Sequence, residues 1–278
     1  MSAENLAALA ESAEAECNYR MVALAPERTR QALGISTTRI GGAFTWVTRN
    51  DPMAGYWNKT LGLGVTEPVT RDVLDKVIEF HRDQGSPSAR IQIAPDLLPP
   101  DWDEIRAAYG LTPGAFTVQL GCAVGDIAPA RTDLRIGPVG AADFAQWVSL
   151  LYTVFQMPEH FDTLFRATLG QPDFRAFAAW DGDQMVAAAN LFLNGEVGGL
   201  NSAVTRESHR GRGAQSALTA ARARAAAEAG CRRLVVQTGR PAAGERHQSL
   251  ENLLRVGFTR LYDRQDWVWQ PAPGGTDA

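Results

Sequence analysis

The apolar positions of this chain recur in short blocks of alternating period, and the second half carries the clearest pattern. Residues 134–137 read as a short strand. Residues 141–155 place apolar side chains at helical spacing, and 159–169 do so again. Two alternating or apolar runs, 174–180 and 184–193, flank Asp181-Gly182-Asp183, a turn sequence that predicts a hairpin. A further strand is expected over 196–205. An alanine-rich helix follows over 213–229, with Gly230 as its stop. The β-branched run RLVVQT (233–238) predicts a buried strand, 249–256 a helix ended by Gly257, and 258–269 a closing strand with aromatic alternation. The predicted order is β-α-α-β-β-β-α-β-α-β. A strand, a long helix and a strand imply a right-handed crossover and a parallel pair, whereas the hairpins imply antiparallel neighbours. The expected fold class is therefore α/β with a mixed, mostly antiparallel sheet.

The first half repeats part of this order. Strands are predicted over 40–47, 61–65, 89–94 and 116–122, and helices over 71–84 and 101–109, stopped by Gly85 and Gly110. GLTPGAFTVQLGC (110–122) and VGFTRLYDRQDWVW (256–269) both run from a glycine-stopped helix into an aromatic-bearing strand. The shared order reads as a degenerate internal duplication, although any two α/β segments look alike at this level of detail. The Pro/Gly/Asp stretch 123–132 is the natural break, giving expected domains 1–125 and 131–272.

Composition narrows the functional classes. The chain has 278 residues, 45% hydrophobic and 21% charged, enough for a sizeable core. No apolar run approaches the ~20 residues of a membrane-spanning helix. The acidic start MSAENLAALAESAEAE lacks the basic and apolar regions of a secretory signal, so a cytoplasmic location is expected. A formal charge of −4 gives no general reason to expect nucleic acid as a partner. Cys17, Cys122 and Cys231 are widely spaced and odd in number, which is not a disulfide framework, and the four histidines show no metal-ligand spacing. No metal is expected.

One segment stands out: Ser208-His209-Arg210-Gly211-Arg212-Gly213-Ala214-Gln215-Ser216, between a strand and a long helix. Two glycines permit positive φ and close approach of a ligand to the backbone. The amides of a first helical turn have no intrahelical partner and carry the positive end of the helix dipole, which together make an anion cradle. Arg210 and Arg212 can add charge-assisted hydrogen bonds. The segment is neither a Walker loop nor a dinucleotide fingerprint. Its plainer interpretation is a glycine-bearing helix start with solvated arginines.

In its context the segment resembles the (Gln/Arg)-x-x-Gly-x-(Gly/Ala) loop of the GNAT acyltransferase superfamily, with Gln215 at the usual last small position. The helix–strand pair over 226–236 and the run Ser249-x-x-Asn252-x-x-x-x-Gly257-Phe258 are similar to the same family. The resemblance covers about residues 132–270, with a fainter echo over 38–122. It implies two GNAT-like domains whose sheet splays at the cofactor site, with acetyl-CoA or another acyl-CoA as co-substrate. The pantetheine arm would pair with Ala203, Val204 and Thr205. The diphosphate would lie on the amides of Arg210, Gly211, Arg212, Gly213, Ala214, Gln215 and Ser216. Ser249 and Asn252 would face the cofactor, or else serve as a helix cap and a solvated residue.

Catalytic candidates are fewer. Glu196 is a possible base or a solvent-facing turn residue, and Asn201 and Ser202 are polar in mid-strand. The position where many family members carry a tyrosine acid holds Leu253; Tyr262 is the nearest replacement, or a half-buried aromatic. Phe155, Met157, Pro158, Glu159, His160 and Phe161 mark the region where the family receives its acceptor. The first half has Gly62-Leu63-Gly64-Val65-Thr66-Glu67-Pro68 where a cradle would be; Glu67 would repel a diphosphate, so this half is expected to bind no CoA. The expected activity is N-acyl transfer, most simply N-acetyl transfer, to a small amine, with no membrane partner. A tandem arrangement suits a monomer, and the oligomeric state stays open. The alternatives are an acyl-CoA-binding or regulatory protein without turnover, and a GNAT-like fold with other CoA chemistry such as decarboxylation.

Overall fold

The computed structural model describes residues 3–51, 53, 55–158 and 160–271. In chain order the elements are α1 (Ala3–Ala23), α2 (Glu27–Leu33), β1 (Ile35–Ile40), β2 (Ala43–Thr48), β3 (Lys59–Leu61), α3 (Arg71–Asp83), β4 (Ala89–Gln92), α4 (Trp102–Ala108) and β5 (Thr112–Ala123). They continue with β6 (Arg135–Pro138), α5 (Phe144–Phe155), α6 (Asp162–Arg166), β7 (Phe174–Asp181), β8 (Gln184–Asn194), β9 (Val197–Thr205), α7 (Ala214–Glu228), β10 (Arg233–Gly239), α8 (Gln248–Arg255) and β11 (Thr259–Trp269).

The chain forms two compact units. The first holds the start of α1, up to Ala13, and Val118–Tyr262; the second holds Glu14–Thr117 and the chain from Asp263 onward. These units depart from the expected linear domains 1–125 and 131–272. The reason is the length of two strands. β5 has 12 residues and β11 has 11, about twice the usual strand, so each serves one unit with its first part and the other with its second. The end of β11 accordingly pairs with β4, Asp266 opposite Gln92 and Trp269 opposite Ala89, instead of closing the C-terminal sheet.

In the first unit the strand order is β11-β5-β10-β9-β8-β7-β6. Pairing is antiparallel through β6-β7-β8-β9 and parallel between β9 and β10, as the strand–helix–strand order β9-α7-β10 requires. The small side chains of α7 let the helix lie close to the sheet. Ala214, Leu218, Ala223 and Ala226 are buried on it, with Ala187, Ala189, Leu191, Leu200 and Leu234 in the same core. A Cβ placed on Gly198 of β9 would stand 3.1 Å from that of Ala226 and 2.9 Å from Leu234. Trp147 of α5, fully buried, donates its indole N–H to the Phe177 carbonyl.

In the second unit the order is β1-β2-β3-β4-β11-β5, with β3 and β4 parallel around α3. Its core gathers Leu74, Val77, Ile78, Ile91, Trp102, Ile105 and Trp267. The single strand expected over 40–47 is the second arm of a hairpin. Gly41 and Gly42 have φ of 56° and 73°, the two left-handed positions of a tight turn, and join β1 to β2. Helices α1 and α2 have no sequence-based assignment, because the small, evenly spread alanines of α1 give no amphipathic stripe to read.

Gly198→Val forces a branched side chain between α7 and β10. We expect a loss of about 1–3 kcal/mol, the usual cost of overpacking, as a lower urea midpoint at unchanged m-value. An unaltered midpoint would contradict the tight α7–sheet contact.

Candidate functional site

Strands β9 and β10 are joined only over part of their length. Their register runs from Arg233 opposite Val197 to Val236 opposite Leu200. Beyond that point β9 continues to Thr205 and β10 to Gly239 without pairing to each other. Residues 201–205 thus present main-chain groups that no strand on the β10 side takes up. At the fork the β8–β9 register shifts between Ala188 and Asn190, and Ser202 takes a left-handed φ of 53°. Such a conformation is strained for a residue other than glycine. The Asn201 Oδ1 accepts from the Asn190 Nδ2 (3.0 Å) and the Ser202 Oγ (2.9 Å). Two of the polar residues singled out in mid-strand therefore meet at the fork, together with Asn190, which sequence reasoning missed.

The cradle follows directly. After a 3₁₀ turn over Glu207–His209, Gly211 and Gly213 adopt φ of 82° and 79°, and Gly213 caps α7 without a side-chain hydrogen bond. Among the described residues, no acceptor is found for the amides of 211–216, and the first turn of α7 holds no acidic side chain. Ala217 is the first residue of the helix to donate back, to the Gly213 carbonyl (3.0 Å). A Cβ at Gly213 would stand 2.6 Å from the Arg131 carbonyl oxygen, so glycine is required there for space as well as for φ.

The two arginines part company. Arg210 is exposed and makes no ion pair among the described residues. Arg212, assigned to the anion from sequence, is instead held by the protein. Its Nη1 donates to Asp181 (2.6 Å), its Nε and Nη2 donate to Asp133, and its carbonyl accepts from the Thr132 hydroxyl (2.8 Å). The hydrogen bonds from Arg212 hold both carboxyl groups below their ordinary value, and His209 Nε2 adds a contact to Asp181 at 3.3 Å. Arg212 is thus the tether of the loop. Gln215 turns back onto the strand end: its Nε2 donates to the Val204 carbonyl (2.7 Å) and the Thr205 hydroxyl (2.9 Å). One of the main-chain acceptors expected for a pantetheine arm is already occupied. Ala203 is exposed, whereas the Val204 side chain is buried.

The remaining candidates lie as follows. Ser249 is exposed on α8 and does not cap it; His247 does, its Nδ1 accepting from the Leu250 amide. The Asn252 side chain accepts from Arg255. Glu196 lies outside β9, in the turn before it, where Gly195 has φ of 58°; its carboxylate pairs with exposed Arg232. That end of β9 is roughly 15 Å from Asn201 at the rise of an extended strand, and Arg232 holds the carboxylate there, so Glu196 is no base for the fork. Tyr262 donates its hydroxyl to the buried Glu11 carboxylate at 2.6 Å, which commits the group expected to act as acid. Phe161 is fully buried and forms no rim, and the helix expected over 159–169 shrinks to α6, preceded by His160 at φ 73°. Glu159 lies outside the described residues. A cavity of about 650 Å³ opens beside the C-terminal half of α7, lined by Phe174, Phe177, Ala221 and Glu228, and shares Asn190 with the fork.

The counterpart helix of the second unit starts differently. Thr70 caps α3 by accepting from the Val73 amide, and Asp72 stands in its first turn. A Cβ at Gly64 would stand 2.8 Å from that of Leu97, so the turn after β3 is filled by neighbouring side chains. Among the described residues no group of three or more His, Cys, Asp or Glu is placed to hold a metal ion, and no helix is long and apolar enough to cross a membrane.

Residues 141–250 match the Acetyltransferase (GNAT) family. No curated protein matches the chain. Solved structures share its fold at low identity. A GCN5-related N-acetyltransferase from Kribbella flavida is 17% identical, with 96% of this chain and 97% of that one covered and a TM-score of 0.61. A tandem GNAT protein from the clavulanic acid biosynthesis pathway is 13% identical, with 84% and 80% covered and a TM-score of 0.59. A functionally unknown conserved protein from Staphylococcus epidermidis is 12% identical, with 86% and 96% covered and a TM-score of 0.57. These likenesses are of fold: a mixed α/β architecture of the GNAT type.

The tether has a testable electrostatic signature. Because the native carboxyl values of Asp133 and Asp181 are lowered, their contribution is present above the ordinary aspartate value of about 3.9 and is lost as pH falls through the lowered native values. Carbon-detected NMR titration should find both groups titrating below about 3.9, and Arg212→Met should return them toward it. Ordinary values in the native protein would remove the tether.

Proposed function

From a chain whose residues 141–250 match the GNAT acetyltransferase family, we propose an acyl-CoA-dependent N-acyltransferase, with acetyl-CoA as donor and a small amine as acceptor. The observation that carries this reading is the parting of β9 from β10 beside a helix whose first amides have no partner. The diphosphate of the coenzyme lies on the amides of 211–216, where the helix dipole and exposed Arg210 add positive charge. The pantetheine arm enters the gap and pairs with the main-chain groups of 201–205 that Gln215 leaves open, as an added strand would.

The reaction itself needs little from side chains. A neutral amine attacks the thioester carbonyl, the C–N bond forms, the C–S bond breaks, and the thiolate leaves and takes up a proton. Holding the two reactants together supplies most of the acceleration, and main-chain N–H groups at the fork polarise the carbonyl. The amide of Asn201, fixed by Asn190 and Ser202, orients the acceptor. Water takes the amine proton, since Glu196 is far along the strand and Tyr262 is held by Glu11.

A second reading, acyl-CoA binding without transfer, is favoured by the engagement of Tyr262 and by the buried Leu253 where the resemblance puts a tyrosine acid. Release of free thiol from acetyl-CoA with a panel of primary amines separates the two. Amine-dependent release supports transfer, and thermal stabilisation without release supports binding alone.

Acetyl-CoA at about a hundred times its dissociation constant should stabilise the native state by ~2.7 kcal/mol. Arg210→Glu, which reverses the charge beside the diphosphate at an exposed position, should remove most of that stabilisation while the free protein still folds. Calorimetric titration should return one equivalent per chain, because α3 is capped by Thr70; two equivalents would contradict the assignment of the second unit.

A further inference from the structure

Arg222, on α7, is buried to 2% relative exposure, and no carboxylate among the described residues pairs with it. Burial lowers its pKa to about 9. A cation taken out of water without a counter-ion is costly, and it is tolerated where its hydrogen bonds hold something in place. Its Nε donates to the Leu218 carbonyl (3.3 Å), its Nη2 to the Thr219 hydroxyl (3.3 Å) and its Nη1 to the Asn190 carbonyl on β8 (3.0 Å).

Two branches lead from these contacts to the same stretch of β9. Along α7, the Thr219 hydroxyl donates to the Gln215 carbonyl (2.8 Å), and the Gln215 side chain grips the Val204 carbonyl and the Thr205 hydroxyl. Across the sheet, Asn190 passes from its carbonyl, held by Arg222, to its side chain, which donates to Asn201, itself bonded by Ser202. The branches end on Val204 and Thr205 and on Asn201 and Ser202. These residues bracket the part of β9 that has lost β10 as a partner.

We propose that Arg222 is a positioning residue which, through Thr219–Gln215 on one side and Asn190–Asn201 on the other, holds segment 201–205, paired to β8 but not to β10, in the conformation that receives the coenzyme arm. Its functional consequence rests on the coenzyme-binding reading above; its mechanical part does not. Beyond the ladder to β8, side chains of α7 and β8 supply part of what β10 supplies farther back in the strand, so the segment is ordered before any ligand arrives. A pre-ordered site binds more tightly because less ordering remains to be done on binding.

The test uses the full-length chain as Arg222→Met, Arg222→Lys and Thr219→Val, with amide hydrogen exchange of the free protein and acetyl-CoA titration. In Arg222→Met, which fills the same space without polar groups, amides of 201–205 should exchange about tenfold faster, and the acetyl-CoA dissociation constant should rise about tenfold. Protection in β7 should stay unchanged. Arg222→Lys should recover part of both effects. Thr219→Val cuts only one branch and should loosen 204–205 more than 201–202; it carries the test if the methionine variant does not fold. Unchanged exchange at 201–205 in the folded variants, or loss of protection spread evenly over the unit, overturns the proposal. If the unaltered protein binds no acetyl-CoA, the functional reading fails, and the exchange pattern still decides whether Arg222 holds the strand.

Discussion

Everything at the candidate site depends on two adjacent parallel strands ceasing to pair after Leu200 and Val236. Main-chain N–H and C=O groups that lose a ladder partner in a folded protein need another, because an unsatisfied polar group carries the full cost of its desolvation. The protein meets only part of that need. Gln215 takes the Val204 carbonyl, and the side chains of Asn190, Asn201 and Ser202 tie the fork, where Ser202 is forced into a left-handed conformation. What is left open is the remaining main chain of 201–205 on the side where β10 no longer pairs.

The loop beside the gap follows the same division between what the protein satisfies and what it leaves open. The carboxylates of Asp133 and Asp181 fix the Arg212 side chain, the Thr132 hydroxyl fixes its carbonyl, and the Arg131 carbonyl excludes any side chain at Gly213. With the loop fastened in this way, the amides of 211–216 are left without an acceptor among the described residues. In the second unit the corresponding helix start is capped by Thr70 and carries Asp72. Two strand–helix–strand crossovers of like order therefore differ in the cap, in the first-turn charge and in the space at the preceding turn.

Much of this was legible in the residues. Asp181-Gly182-Asp183, Gly230 and Gly257 marked turns and helix ends that the structure keeps, and the alanine-rich pattern with its preceding glycines located α7 and the turn before it. What could not be read was which polar side chains would find partners inside the protein. Arg210 and Arg212 look alike in sequence, and only the return of the chain at Asp133 and of the β7–β8 hairpin at Asp181 separates them. Tyr262 and Glu11 are far apart along the chain and meet only once α1 has docked. The exchange of strand ends between units was hidden for a similar reason: β5 and β11 carry a continuous pattern, and nothing local shows where one unit's share of a strand ends.

The most direct test of the account is an amide NMR titration of the uniformly labelled chain with acetyl-CoA. The account predicts saturable shifts confined at first to 211–216 and 201–205, with 62–73 of the second unit unmoved. Shifts that leave both 211–216 and 201–205 untouched, or that fall chiefly on the start of α3, would contradict it.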